Sequence, residues 1–106
     1  MRIMIESPFA GEVARNVEYA RRALKDSLNR GEAPFASHLL YPSVLDDTIL
    51  TERERGLSAA MDWLDACDGV AVYQDYGVSR GMSRAIRRAK LKEKLLVYRK
   101  IGKNPL

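Results

Sequence analysis

Residues 69–73, Gly-Val-Ala-Val-Tyr, form an unbroken apolar run of strand-forming residues. A strand that does not alternate has no face to turn to water, so it belongs inside a sheet covered on both sides. The remaining sequence supplies the parts of such a sheet. Residues 2–6 (Arg-Ile-Met-Ile-Glu) alternate and are β-prone, which predicts a first strand. Ser7-Pro8-Phe9-Ala10-Gly11 breaks it. Residues 12–29 carry Val13, Val17, Ala20, Ala23, Leu24 and Leu28 at helical spacing, and Gly31 follows as a stop. A short strand is predicted over 33–37 and a long loop over 38–50. Thr51 and Glu54 read as a capping box opening a helix over 51–66, with Leu57, Ala60, Met61 and Leu64 facing inward. A helix over 80–92, a strand over 95–99 and a loose tail over 102–106 complete the chain.

The order β-α-β-α-β-α-β predicts one α/β domain over residues 1–106, a parallel sheet with helices on its faces. In such sheets ligands bind beyond the carboxyl ends of the strands, near the point where strand order reverses. Segments 7–12, 37–47 and 74–82 are expected to converge there.

Composition narrows the partners. Hydrophobic residues make up 46% and charged residues 30%, a balance that folds rather than stays disordered. No apolar run approaches the ~18 residues of a membrane span. Cys67 is the single cysteine, so no internal disulfide forms and a reducing, cytoplasmic setting is expected. The net charge of +4 favours anionic partners. Basic residues dominate 80–103, where Glu93 is the one acid, whereas acids outnumber bases over 46–75.

Several residues could carry chemistry. The turn Ser7-Pro8-Phe9-Ala10-Gly11 leads into a helix whose amides can attract phosphate or carboxylate, with Phe9 able to stack on a base. There is no Gly-x-Gly-x-x-Gly and no P-loop lysine. Ser79 can cap the basic helix, leaving the amides of Gly81 and Met82 for an anion. Arg80, Arg84 and Arg88 share one helix face, and a guanidinium fork suits phosphate. Asp46 and Asp47 could hold a ribose hydroxyl or Mg²⁺, and Tyr41 and Tyr76 could line a base pocket. His38 is the only histidine, so no transition-metal site and no cofactor are expected. Cys67 beside Asp68 reads as buried and inert. The basic helix lacks the aromatic interleaving of a single-strand nucleic-acid binder.

Four segments carry a resemblance: 5–16 (Ile-Glu-Ser-Pro-Phe-Ala-Gly-Glu-Val-Ala-Arg-Asn), 34–41 (Pro-Phe-Ala-Ser-His-Leu-Leu-Tyr), Leu45-Asp46-Asp47 with Glu52-Arg53-Glu54, and 65–70 leading to Ser79-Arg80-Gly81-Met82. Together they resemble the nucleoside 2-deoxyribosyltransferase-like family, in a branch of short proteins common in phages. The resemblance implies a small flavodoxin-like or Rossmann-like sheet, a homo-oligomer, and cleavage of a deoxynucleoside N-glycosidic bond by a glutamate assisted by an aspartate. It implies that Ser7, Pro8 and Phe9 border the sugar, and that Ser79, Arg80 and Gly81 lie near its 5′ side or phosphate. At the positions implied for the two carboxylates stand Ala85 and Ala60. The resulting expectation is a non-catalytic binder of a nucleotide-like anion, with Ser7, Pro8, Phe9, His38, Tyr41, Asp46, Asp47, Ser79, Arg80, Gly81 and Met82 at the site. As a phage product it would sequester a nucleotide or ADP-ribose-derived signalling molecule in the host cytoplasm. Two alternatives stand beside it: an active N-glycosidase using Glu6, Asp62 or Asp46, and a protein-interaction module using the basic helix.

Overall fold

The computed structural model describes residues 1–102. Strands β1 (Arg2–Glu6), β2 (Ala33–Phe35), β3 (Gly69–Tyr73) and β4 (Leu95–Arg99) form one parallel sheet in the order β2-β1-β3-β4. Helices α1 (Val13–Asn29), α2 (Ser37–Leu40), α3 (Leu50–Ala66) and α4 (Arg80–Leu91) connect and cover it. This strand order is the flavodoxin-like one. No helix of the described residues is long and apolar enough to cross a membrane.

Every residue of β3 is buried, as an apolar run in a central strand must be. Its neighbour β1 buries both faces as well. Ile3 and Ile5 meet Tyr19 and Ala23 of α1 on one side. Met4 meets Leu64 of α3 and Met82, Ala85 and Ala89 of α4 on the other. At the start of β3 a side chain has no room. A Cβ on Gly69 would lie 2.8 Å from Leu95 Cβ and 2.9 Å from the Leu95 carbonyl oxygen. Gly69→Ala is therefore expected to push β3 and β4 apart and cost about 1–3 kcal/mol, read as a lower urea midpoint at unchanged slope.

The apolar stripe of α1 is shorter than its sequence indicates. Val13 and Leu28 are 44% and 59% exposed, because a 17-residue helix is about 25 Å long and overhangs strands of about 17 Å. The strand predicted over 33–37 ends at Phe35, and the loop predicted over 38–50 contains α2 and a 3₁₀ turn at Tyr41–Ser43. Pro42 fixes the backbone at the start of that turn, and the amides of Val44 and Leu45 both donate to the Tyr41 carbonyl. The Thr51–Glu54 capping box does not form, since α3 begins one residue earlier with Ile49 at its N-cap. Glu52 instead accepts from the Asp46 amide at 3.0 Å and steadies the preceding loop.

A polar cluster ties α1 to the far side of the sheet. The Arg99 guanidinium donates to both Glu32 oxygens, at 2.7 and 2.6 Å, and to the Tyr73 hydroxyl at 3.1 Å. Tyr73 donates in turn to Asp26 at 2.7 Å, and Ser27 to Glu32 at 2.7 Å. Asp75 accepts from the Tyr19 hydroxyl at 2.6 Å and from the amides of Ile101 and Gly102 at 2.8 and 2.9 Å. Gly102 of the expected loose tail is thus held, and 103–106 lie outside the described residues.

Candidate functional site

The connections from β1 and β3 leave toward opposite faces of the sheet, to α1 and α4. Beyond their carboxyl ends lies a cavity of about 270 Å³, near the lower end of small-molecule sites. Glu6, Ser7, Phe9 and Ala10 enter it from the end of β1, and Ser37, His38, Tyr41, Pro42, Leu45 and Asp47 from α2 and the loop after it. Ser79, Arg80, Gly81, Met82 and Arg84 come from the start of α4. The fourth wall is α3, with Glu52, Arg53, Gly56, Leu57, Ala60 and Met61 at helical spacing.

Each wall is fixed by local chemistry. Buried Asn16 donates through Nδ2 to the carbonyls of Phe9 and Ala10, at 2.9 and 3.0 Å, which anchors the turn after β1. At the other side, Ser79 Oγ accepts from the Met82 amide at 3.3 Å and caps α4. This corrects one expectation: the Met82 amide is taken by the cap, and the open donors of the first turn are those of Arg80 and Gly81.

The depth of the cavity is polar but uncharged at neutral pH. Ser7 Oγ and His38 Nε2 are hydrogen-bonded at 2.7 Å. Burial lowers the His38 pKa to about 4, so the ring is neutral. Burial raises the Glu6 carboxyl to about 8, so it carries its proton. At the exposed mouth stand Arg53, Arg80 and Arg84, with Asp47 beside them, and none of the three arginines makes an ion pair among the described residues. Apolar walls, a neutral hydrogen-bonding floor and a cationic rim suit a ligand with a planar or sugar-like body and an outward anion.

Residues 1–99 match the family described as a domain of unknown function, DUF7768. The chain belongs to the DUF7768 family. No curated protein matches this DUF7768 chain in sequence. A solved structure of a 2-deoxyribosyltransferase from the psychrotolerant bacterium Bacillus psychrosaccharolyticus is similar to it, with TM-score 0.69 and 15% identity, over 100% of this chain and 77% of that one. A 2-desoxiribosyltransferase from Leishmania mexicana gives TM-score 0.60 and 14% identity, over 95% of this chain and 65% of that one. The DUF7768 chain thus has a nucleoside 2-deoxyribosyltransferase-like fold.

Of the residues singled out by sequence, Ser7, Phe9, His38, Tyr41, Asp47, Ser79, Arg80, Gly81 and Met82 line the cavity of the DUF7768 chain, as does Ala60. Pro8 is buried and does not line it. Asp46 is turned into its own loop: Oδ1 accepts from the Thr48 hydroxyl at 2.6 Å and amide at 2.9 Å, which holds its pKa low. Tyr76 packs edge-on against Tyr19 beneath the Arg15 guanidinium. Arg88 forks onto Asp65 of α3, away from the cavity. Ala85 has no exposed surface and sits in the core, so the side chain at this position does not face the cavity. Arg53 and Gly56 were not anticipated. Their signal is the spacing 53, 56, 57, 60, 61, which continues the inner face of α3 past the end of the sheet.

Proposed function

We propose that the chain is a nucleotide-binding protein that holds an anionic, nucleotide-like ligand without consuming it. The observation that carries this reading is the grading of one cavity from a neutral polar floor to a rim where Arg53, Arg80 and Arg84, without ion pairs among the described residues, outnumber Asp47 and Glu52. A volume of about 270 Å³ suits one mononucleotide better than a dinucleotide. Holding without turnover fits the floor, where the acid is protonated at neutral pH and so is a poor nucleophile. In this reading the chain acts in the cytoplasm, as a phage product that sequesters a host signalling nucleotide. It works as a dimer or larger, which would cover Val44 and Leu50 beside the mouth, now 73% and 67% exposed.

Mass spectrometry of small molecules released on denaturing the purified protein tests this. A stoichiometric, intact nucleotide is expected. With the ligand class in hand, Arg80→Gln with Arg84→Gln is expected to weaken binding of the nucleoside monophosphate by roughly 10-fold or more, and less so as salt rises. An empty protein with no affinity for a nucleotide panel would sink the reading.

One observation favours a second reading, an active deoxynucleotide N-glycosidase. A carboxyl raised to about 8 has the protonation state of a general acid. Of Glu6, Asp62 and Asp46, only Glu6 lines the cavity. Release of free base from deoxynucleotides, abolished by Glu6→Gln, would establish it.

A further inference from the structure

Glu6 is the acid at the floor of the cavity, and among the described residues no side chain pairs with it. It lies on the same face of β1 as Met4, two residues earlier, toward α3 and α4. Its surroundings in the cavity include Leu57, Ala60, Met61 and Met82. Among the described residues no ion pair reaches its carboxyl, and the arginines stand out at the rim. Glu6 is half-buried, and a charge among these apolar side chains with no cation beside it is costly. A ligand that pairs with the neutral acid can take the place of water at its open side.

The chemistry of that partner follows from the acid's form. A carboxylic acid away from any cation presents one O–H donor beside one C=O acceptor, the pattern of a glutamine amide. A nucleobase edge offers the complementary pair, an acceptor next to a donor. A ribose diol calls for the opposite, an ionised carboxylate that accepts hydrogen bonds from hydroxyls.

We propose that Glu6 recognises the base of the bound nucleotide, pairing with an adjacent acceptor and donor on its edge as a glutamine would. The ligand enters base first and leaves its phosphate at Arg53, Arg80 and Arg84. This rests on the nucleotide reading above and adds its orientation and the residue that reads the base.

Titration calorimetry of the whole protein at pH 7 tests it, with dAMP, dGMP, dCMP, dTMP and 2-deoxyribose 5-phosphate as probes. For the nucleotide bound best, Glu6→Gln is expected to stay within about 3-fold of wild type, while Glu6→Ala weakens binding by roughly 10- to 100-fold. For 2-deoxyribose 5-phosphate the three proteins should behave alike. Unchanged binding by Glu6→Ala, a fall in Glu6→Gln as deep as in Glu6→Ala, or an equal loss with the sugar phosphate would each overturn the proposal. So would release of free base by wild type but not by Glu6→Gln, which assigns Glu6 to acid catalysis. If wild type binds none of the four nucleotides, the nucleotide reading itself fails. If wild type binds but the variants do not separate, only the role of Glu6 fails.

Discussion

Glu6→Gln is expected to abolish the loss of stability between pH 6.5 and 8. The Glu6 carboxyl goes from 4.5 when free to about 8 in the folded protein, because burial penalises its charged form. The folded chain therefore keeps a proton that the unfolded chain releases. Its contribution is complete below pH 4.5 and is lost as pH rises to about 8, at roughly 1.4 kcal/mol per unit. His38 has the opposite sign. Burial moves it from 6.5 to about 4, so its contribution is complete above pH 6.5 and is lost as pH falls to about 4. Between 4.5 and 6.5 the two slopes oppose and the wild-type curve is nearly level. Above 6.5 only Glu6 acts, and stability declines. With glutamine in place the His38 slope stands alone: stability climbs to pH 6.5 and then holds. At pH 8 the variant should be more stable by several kcal/mol, on the order of 3–5. Urea unfolding at pH 5, 6, 7 and 8 measures this, and parallel curves for the two proteins would refute the burial of the acid.

Arg99→Met is expected to cost about 3–5 kcal/mol at neutral pH. The side chains of Arg99 and Glu32 are only 10% and 16% exposed, and the pair is bidentate. Hydrogen bonds from Arg99, then from Ser27, hold Glu32 at about 2 against the effect of burial. Methionine fills part of the space but leaves that carboxylate without its cation. The Tyr73 hydroxyl, which Arg99 also reaches, would keep only its bond to Asp26. A depressed carboxylate contributes stability above its free pKa, so the deficit should shrink as pH falls below 4.5. Adding Glu32→Gln should recover much of the loss, because a neutral amide tolerates the site better than an orphaned charge. A loss below ~1 kcal/mol in the single variant would place the pair among ordinary surface contacts.

The sheet was legible wherever a period could be read. The stripes of α1 and α3 span enough residues to show one, and β3 was legible instead as a short run with no polar face. Two features of the fold were not. In α2 and the turn at Tyr41–Ser43 there are too few residues to complete a helical repeat. The site was legible at its three connecting segments, since α/β sheets place ligands there. Its fourth wall was hidden, because Arg53 and Gly56 look like any residues of an amphipathic helix until the sheet is seen to end beneath them. The Ser7–His38 bond joins residues 31 apart, and no local pattern links them. Ala85 shows the reverse problem. Its assignment came by resemblance, whereas its place among Met4, Leu64 and Met82 comes from packing.

The strand order also governs how the chain can reach this structure. β1 occupies the middle of the sheet, and its partner on one side is β3, with Ile3 opposite Gly69. No strand pairing is a local hairpin; each closes a long stretch of chain before any contact rewards it. Refolding is therefore expected to be slow for a protein of this length. During synthesis, Ile3, Met4 and Ile5 precede the other core residues, and one flank stays open until the chain has been made as far as Gly69 and beyond. That segment is where a chaperone would find its grip on the nascent chain.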